Sequence, residues 1–262
     1  MIGVAGCGRM GKPMLSALRS MGIHAKGFDV VDKDSDWITT NDKRFAVDLS
    51  TLITVVRDID QTENVLFEEQ NFIDTAKKLE RIIVCSTLSP RYVRKLRARV
   101  PKHITLIDAP MSGAQIAAER AELSFMLGGE PTELDDAQML FASMGKHFHR
   151  MGPFGSGMQA KVLNNMLAAS HTAMTRMILD WADDAGLDEQ ALLGLIHTSS
   201  GQNWLASGFN EIEFSREGYA DDNTIGILVK DVASAIDGAP QDADLSAALI
   251  VQKMIRALKP RP

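Results

Sequence analysis

A glycine-rich turn near the N-terminus constrains the fold more than any other feature of the sequence. The apolar run Ile2–Ala5 is typical of a strand, and residues 12–21 have the pattern of a helix that Gly22 ends. The sequence GCGRMG lies between them at residues 6–11 and fits G-x-G-x-x-G. In such a turn the first glycine permits a tight bend, the second lets the backbone approach a pyrophosphate, and the third lets helix and strand pack closely. The turn therefore predicts a dinucleotide-binding fold.

The rest of the first half alternates short apolar runs with helical patterns, as a parallel sheet with crossover helices does. Further strands are predicted at residues 23–28, 52–56, 81–85, 104–107, 125–127 and 146–149. Residues 30–50 are polar and weakly periodic, so a crossover helix there is short or missing. The first half is predicted to be a doubly wound Rossmann sheet.

The sequence changes character after about Gly152. A loop signal at residues 152–157 (GPFGSG) precedes residues 158–185, which contain no proline or glycine and are rich in Ala, Leu and Met. This pattern predicts a long helix that ends at Gly186. Further helical patterns cover residues 188–197, 224–237 and 245–258. The predicted class is α/β, with an N-terminal Rossmann domain (1–153) and an all-helical C-terminal domain (154–262) that opens with a long interdomain helix.

Composition and charge exclude several classes of protein. The chain is 45% hydrophobic and 24% charged, which is ordinary for a globular protein. Its net charge of -6 does not favour binding to the phosphate backbone of a nucleic acid. No segment approaches the roughly 18 consecutive apolar residues that a membrane-spanning helix requires. Glycines and Arg9 interrupt the first apolar stretch, so the first residues are not expected to be a signal peptide. Cys7 and Cys85 form no C-x-x-C pair, and no histidine has metal-ligand spacing. A soluble cytoplasmic protein without a metal, membrane or nucleic-acid partner is expected.

An acidic residue follows the second predicted strand. Asp29 lies 23 residues after Gly6, close to the distance at which an acidic side chain binds the adenosine ribose hydroxyls. A carboxylate there repels a 2′-phosphate, and two valines rather than an arginine follow it. NAD is predicted as the preferred cofactor. NADP stays open, because Lys33 or Lys43 can fold over a phosphate.

Two further segments carry candidate substrate-binding groups. Ser112 and the small residues beside it offer a hydroxyl and bare backbone N–H groups to a carboxylate, although an ordinary strand-to-helix turn explains them equally well. Lys161 and Asn165 are four residues apart in the first turns of the long helix and share one face. A helix N-terminus disfavours a cation, which lowers the pKa of a lysine slightly and suits it to proton transfer. A surface lysine and a buried asparagine are the alternative.

Four ordered motifs resemble those of the β-hydroxyacid dehydrogenase family, which includes 3-hydroxyisobutyrate dehydrogenase and tartronate semialdehyde reductase. Residues 6–14 (GCGRMGKPM) are similar to its G-x-G-x-M-G-x-x-M opening, and residues 108–114 (DAPMSGA) to its D-A-P-V-S-G-G segment. Residues 155–165 (GSGMQAKVLNN) resemble its G-x-G-x-x-x-K-x-x-N-N segment, and residues 229–232 (VKDV) its K-D-L motif. The likeness covers nearly the whole chain.

The resemblance implies substrate-site roles residue by residue. Lys161 would be the general acid/base that takes the hydroxyl proton, and Asn165 would help to orient a small carboxylate substrate. The substrate carboxylate would be held by three consecutive residues, Ser112, Gly113 and Ala114. The helical domain would complete the site with Lys230 and Asp231.

Cofactor contacts are implied in the same way. Asp29 would face the adenosine ribose, and Ser86 and Thr87 match an S-T-x-x-P segment that lies beside the nicotinamide ribose. The dinucleotide would also contact the glycine-rich turn at Gly6, Gly8, Arg9, Met10 and Gly11.

The sequence departs from the family pattern at two positions near the site. The second glycine of the substrate segment is Ala114 here, and an aromatic residue often found seven positions before the K-D-L lysine is Asn223. Both positions bear on which substrate is accepted, and neither alters the lysine chemistry.

The leading prediction is an oxidoreductase that transfers a hydride between NAD and a small 3-hydroxy acid or semialdehyde. An imine reductase and a non-catalytic dinucleotide-binding module on the same fold stay open as alternatives. The long helix has apolar residues around much of its circumference and is expected to bury them in an oligomer. The family resemblance implies a homodimer or homotetramer.

Overall fold

The structure is a computed structural model that describes all 262 residues. The chain divides into two compact units, Met1–Lys161 and Val162–Pro262. The first contains a mixed α/β fold built on one sheet, and the second contains helices and no strand. The predicted class, a Rossmann fold followed by a helical region, is confirmed.

Nine strands form the sheet of the first unit. They are β1 (Ile2–Ala5), β2 (Ala25–Phe28), β3 (Ile38–Thr39), β4 (Thr51–Thr54), β5 (Arg81–Val84), β6 (Thr105–Asp108), β7 (Met111–Ser112), β8 (Leu123–Gly128) and β9 (Gly145–Gly152). Their order is β3-β2-β1-β4-β5-β6-β8-β7, with β9 paired to β8. The pairs from β3 to β6 are parallel. The carboxyl ends of these strands therefore meet at one edge, where sheets of this type bind their ligands.

Eight shorter helices connect these strands. They are α1 (Gly11–Ser20), α2 (Asp42–Ala46), α3 (Ile59–Leu66), α4 (Phe72–Thr75), α5 (Pro90–Arg99), α6 (Ala114–Glu119), α7 (Pro131–Asp136) and α8 (Gln138–Met144). Residues 30–50 contain only β3 and the five-residue α2, so the predicted short crossover is confirmed. The sequence patterns gave no bounds for α3 to α8, most of which have fewer than ten residues.

Apolar side chains bury both faces of the sheet. Successive strand residues point to opposite faces, so Ile53, Ile83 and Ile107 pack in the cluster that contains α1 and α8. Leu52 and Ile82 pack in a second cluster, which contains residues of α2, α4 and α5. Burial on both faces explains why the strands are continuous apolar runs rather than alternating ones.

The second unit is helical. One long helix, α9 (Ser156–Asp184), begins in the first unit and continues into the second, where α10 (Glu189–His197), α11 (Trp204–Ser207), α12 (Thr224–Asp237) and α13 (Ser246–Arg256) follow. The predicted long helix is confirmed, and it ends as expected at Gly186, whose φ is +69°. The N–H of Leu187 donates to the carbonyl of Ala182 across this turn. No helix is both long and apolar enough to cross a bilayer.

A buried arginine ties the C-terminal segment to α9 and α10, and its removal is expected to destabilise the second unit. The side chain of Arg261 is 5% exposed and donates to Asp180 Oδ1 at 2.9 Å, Asp183 Oδ1 at 2.8 Å and Glu189 Oε2 at 2.6 Å. Removing one partner of a buried ion pair costs about 3–5 kcal/mol, but two of the carboxylates that bind Arg261 are solvent-exposed. We expect Arg261→Ala to lower the free energy of unfolding by about 2 kcal/mol.

Urea unfolding of the variant and of a matched control measures this loss. Lys253 is an exposed residue in the last turn of α13, so Lys253→Ala is expected to stay within about 0.5 kcal/mol of the wild type. Equal losses in the two variants would show that the network around Arg261 contributes nothing of its own.

Candidate active site

The three glycines of the N-terminal turn have the distinct geometries that a bound pyrophosphate requires. Gly6 has a φ of +91°, which favours glycine, and a Cβ on Gly11 would lie 1.8 Å from the Gly6 carbonyl oxygen. A Cβ on Gly8 would meet no atom within 4 Å, so the backbone there is open to a ligand. The first turn of α1 has no side-chain cap at Met10, and the N–H of Lys12 donates to the carbonyl of Gly8 at 3.1 Å. These residues fit a dinucleotide.

A cavity of about 910 Å³ adjoins this turn. Its lining includes Gly8, Arg9, Lys12 and Lys33, which place three cationic side chains near the turn. Positive charge beside open backbone N–H groups favours the binding of phosphate groups.

Asp29 lies at the carboxyl end of β2, next to the glycine-rich turn. Its Oδ2 accepts a hydrogen bond from the N–H of Cys7 at 2.8 Å, and its Oδ1 accepts one from the N–H of Val31 at 2.9 Å. Lys33 Nζ lies 3.6 Å from Asp29 Oδ2. The carboxylate therefore also holds the turn against β2, a structural role that the sequence pattern did not indicate.

Ser86 joins the carboxyl ends of two neighbouring strands. Its Oγ accepts a hydrogen bond from the N–H of Val56 at 2.9 Å and donates to the carbonyl of Thr54 at 3.4 Å. The side chain is buried, whereas Thr87 beside it is half-buried. Both residues thus lie at the edge of the sheet where the glycine-rich turn also lies.

The structure brings Lys161 and Ser112 together, although they are 49 residues apart in sequence. Lys161 is the sixth residue of α9, is 6% exposed, and places its Nζ 3.3 Å from the Oγ of Ser112 on β7. Gly113 and Ala114 follow with φ values of +135° and +56°. A left-handed backbone at position 114 explains why the family pattern has glycine there.

Three other predicted site residues meet within the second unit. The Nδ2 of Asn165 donates to Asp231 Oδ2 at 2.5 Å, and Lys230 Nζ lies 2.8 Å from Asp231 Oδ1. Asp231 is 3% exposed and Asn165 8% exposed. Asp231 therefore fixes the orientation of the Asn165 amide.

Asn223, which replaces a frequent aromatic residue, is a helix cap. Its Oδ1 accepts a hydrogen bond from the N–H of Gly226 at 3.0 Å, and its Nδ2 donates to the carbonyl of Gly218 at 2.7 Å. The amide oxygen thus caps α12, and the amide nitrogen binds the loop that precedes the helix.

Sequence reasoning gave Asp108 no role beyond its place in a motif, yet it is the most buried carboxylate near the site. It is 0% exposed and accepts hydrogen bonds from the N–H groups of Gly155 at 2.6 Å and Met158 at 2.5 Å. Burial raises the pKa of its carboxyl to about 6, against the opposing effect of those two hydrogen bonds. The sequence feature that could have indicated Asp108 is an acidic residue directly after the predicted apolar strand at residues 104–107.

The raised pKa of Asp108 predicts a pH-dependent contribution to stability. The folded chain holds this proton more tightly than the unfolded chain, whose carboxyl has the ordinary pKa of 3.8, although Arg94 on α5 opposes the shift. The contribution is therefore complete below about pH 4 and is lost as the pH rises through about 6. We expect the unfolding free energy of the wild type, relative to Asp108→Asn, to fall by up to about 3 kcal/mol over this window.

Urea unfolding of both proteins between pH 4 and pH 7 measures this difference. Each protein carries the same other carboxylates, so their titration cancels in the comparison. A difference that is constant with pH would contradict a raised pKa at Asp108.

Two family models together match almost the entire chain. The model of the NAD binding domain of 6-phosphogluconate dehydrogenase matches residues 1–152, which is more than half of the sequence. The chain belongs to the β-hydroxyacid dehydrogenase family. A second model, described as NAD-binding of NADP-dependent 3-hydroxyisobutyrate dehydrogenase, matches residues 155–261. Both models describe NAD-binding domains, in agreement with the open glycine-rich turn.

Curated relatives and solved structures agree with this family. The chain is 29% identical over 217 residues to an NAD-dependent L-serine dehydrogenase of Pseudomonas aeruginosa, covering 80% of this chain and 73% of that protein. It is 29% identical over 252 residues to the mitochondrial 3-hydroxyisobutyrate dehydrogenase of Rattus norvegicus, covering 91% and 75%.

Two solved 3-hydroxyisobutyrate dehydrogenases share the fold. The protein from Mycobacterium tuberculosis, solved with L-serine, has a TM-score of 0.78 at 24% identity and covers 99% of this chain and 94% of its own. The protein from Salmonella typhimurium has a TM-score of 0.82 at 20% identity, with coverage of 97% and 92%.

Proposed function

We propose that this protein is a dehydrogenase that transfers a hydride between NAD and a small 3-hydroxy acid or the corresponding semialdehyde. The observation that carries the proposal is the buried amine of Lys161, 3.3 Å from the Ser112 hydroxyl, in a chain whose glycine-rich turn fits a dinucleotide. The named relatives act on 3-hydroxyisobutyrate and L-serine, which are both small acids with a hydroxyl on the third carbon.

In the proposed reaction a protein side chain transfers the proton and the cofactor transfers the hydride. The nicotinamide, when bound, accepts or returns the hydride. Lys161 takes the proton from the hydroxyl on the same carbon during oxidation and returns it to the carbonyl oxygen during reduction. Ser112, with the backbone N–H groups of Gly113 and Ala114, holds the substrate carboxylate.

Asn165, Asp231 and Lys230 orient the substrate in this proposal. Asn165 offers its amide to the substrate, and Asp231 keeps that amide in one orientation through the 2.5 Å hydrogen bond. Lys230 supplies a cation for an anionic substrate and neutralises Asp231, to which it is paired at 2.8 Å. Such positioning is worth several orders of magnitude in rate when the reacting atoms are held in line.

Initial rates with a panel of 3-hydroxy acids test the proposal. The acids differ in the group that lies beyond the hydroxyl-bearing carbon: methyl, hydroxyl, amino or sulfonate. The appearance of reduced cofactor from NAD with at least one of them is the expected result. If NADH binds but no panel member is oxidised and no semialdehyde is reduced, the proposal is wrong, and turnover of cyclic imines then separates an imine reductase from a non-catalytic binding module.

We further propose that NAD is preferred over NADP. Asp29 places a carboxylate at the end of β2, and a 2′-phosphate there meets a like charge that Lys33, 3.6 Å away, offsets only in part. Titration of protein fluorescence is expected to give NADH at least a tenfold lower Kd than NADPH, which is about 1.4 kcal/mol. Asp29→Asn keeps one acceptor oxygen but removes the negative charge, so it is expected to narrow the difference between the Kd values of NADH and NADPH. Equal or tighter NADPH binding by the wild type would overturn this preference.

Self-association into a homodimer or homotetramer is also proposed. Four large apolar residues are exposed along α9 at helical spacing: Leu163, Leu167, Met174 and Trp181. Several large apolar residues exposed on one helix are typical of a protein interface. Light scattering on a size-exclusion column is expected to give a mass at least twice 28.6 kDa, and a monomer at micromolar concentration would contradict the proposal.

A further inference from the structure

We propose that Asp108 is a positioning residue, which fixes Lys161 relative to Ser112 by holding the first turn of α9. The inference rests on the proposed function of Lys161 as the proton-transfer group. Asp108 itself is fully buried, and the proposal gives it no contact with the substrate or the cofactor.

The two oxygens of Asp108 bind the start of α9. Oδ1 accepts the N–H of Gly155 at 2.6 Å, and Oδ2 accepts the N–H of Met158 at 2.5 Å. The first N–H groups of a helix have no carbonyl partner within the helix, so a side chain must supply one when they are buried. A carboxylate is also the group that a helix N-terminus favours electrostatically. One side chain of β6 thus supplies two of these partners.

Two glycines let the surrounding backbone approach this carboxylate. A Cβ on Gly128 of β8 would lie 2.2 Å from Asp108 Oδ1, and a Cβ on Gly157 of α9 would lie 2.3 Å from the Met126 carbonyl oxygen. Any larger residue at either position would push β8 and α9 apart. The carboxylate is therefore enclosed by backbone, which leaves it no alternative hydrogen-bond partner in solvent.

Asp108 and its partner Met158 lie close in sequence to the two proposed site residues, Ser112 and Lys161. Asp108 ends β6, and Ser112 lies four residues further on, in β7. Met158 and Lys161 are three residues apart on α9 and therefore lie on one side of the helix. The hydrogen bonds of Asp108 thus connect the segment that carries Ser112 to the turn that precedes Lys161. A displacement of about 1 Å at such a site can cost on the order of 100-fold in rate.

Steady-state kinetics of Asp108→Asn test the inference. Asparagine keeps the shape of the side chain but replaces one acceptor oxygen with an NH₂ group, which cannot accept an N–H. We expect kcat for the oxidation of the best panel substrate to fall at least tenfold. The Kd of NADH is expected to stay within about twofold and the KM for the hydroxy acid within about threefold, because the residues proposed to bind them are retained.

A matched substitution separates positioning from general stability. Asp58 caps α3 through its Oδ1, which accepts the N–H of Gln61 at 2.9 Å, and Asp58→Asn makes the same chemical change there. Both variants are assayed at a temperature where circular dichroism shows them folded. The inference expects Asp58→Asn to keep kcat within about twofold of the wild type. A kcat of Asp108→Asn within twofold of the wild type would overturn it.

Hydrogen exchange in the wild-type chain gives a second measurement that needs no substitution. The amides of Gly155 and Met158 are expected to exchange as slowly as those in the middle of α9. Fast exchange, as at a frayed helix end, would contradict the inference even if Asp108→Asn did not fold. If the wild type is inactive with every 3-hydroxy acid, the proposed function fails by itself, and the exchange rates still report whether Asp108 holds α9.

Discussion

Lys161→Met is expected to lower kcat for hydride transfer by about a factor of 1,000, within the range that general acid/base catalysis contributes. Methionine keeps a flexible stem of similar length but has no group that takes a proton. Because the variant retains the glycine-rich turn and Asp29, the Kd of NADH is expected to stay within about twofold. Stopped-flow and steady-state rates of NADH formation, together with fluorescence titration of NADH, give both quantities.

A second lysine provides the control for this substitution. Lys146 is paired with Glu122 on the surface of the first unit, and its side chain is 60% exposed. Lys146→Met is expected to leave kcat within about twofold of the wild type. If Lys161→Met retained more than a tenth of the wild-type kcat, another group would have to transfer the proton, and the proposed role of Lys161 would be wrong.

Gly11→Ala is expected to destabilise the first unit by roughly 3 kcal/mol. The new Cβ would lie 1.8 Å from the carbonyl oxygen of Gly6. Because a Cβ is fixed directly to the backbone and the oxygen is part of it, the turn or the start of α1 must move. NADH binding is expected to weaken as well, since the same displacement changes the turn that faces the pyrophosphate. Urea unfolding and fluorescence titration measure the two effects.

Gly8→Ala separates folding from binding in the same turn. A Cβ at Gly8 meets no protein atom within 4 Å, so the unfolding free energy is expected to change by less than about 0.5 kcal/mol. The methyl group nevertheless occupies the space through which a pyrophosphate approaches the backbone, so the Kd of NADH is expected to rise at least tenfold. Unchanged NADH binding by Gly8→Ala would mean that the dinucleotide lies elsewhere.

The sequence predicted those features of the fold that depend on local pattern. The turn at residues 6–11 lies between β1 and α1, and the proline- and glycine-free stretch is α9. Both signals are local: glycine spacing reports backbone conformation, and a long stretch without proline or glycine that is rich in Ala, Leu and Met favours a helix. The family motifs also indicated Lys161 and Ser112 as candidate site residues, and their side chains lie 3.3 Å apart.

Features that depend on distant residues were not predictable in this way. The hydrogen bonds of Asp108 cross 47 and 50 residues, and the ion pairs of Arg261 cross more than 70. No local pattern reports such pairs, because each side chain is ordinary in its own segment. The bounds of short elements such as β3 and α2 were not predicted for a different reason: these elements have too few residues to show a period.

Transfer of deuterium from the substrate to the cofactor tests the proposed reaction most directly. The substrate is a 3-hydroxy acid with deuterium on the carbon that carries the hydroxyl, and the wild-type enzyme oxidises it in the presence of NAD. Mass spectrometry is expected to find the deuterium in the reduced nicotinamide, with no loss to solvent. Reduced cofactor without deuterium, or deuterium released into water, would contradict hydride transfer from that carbon.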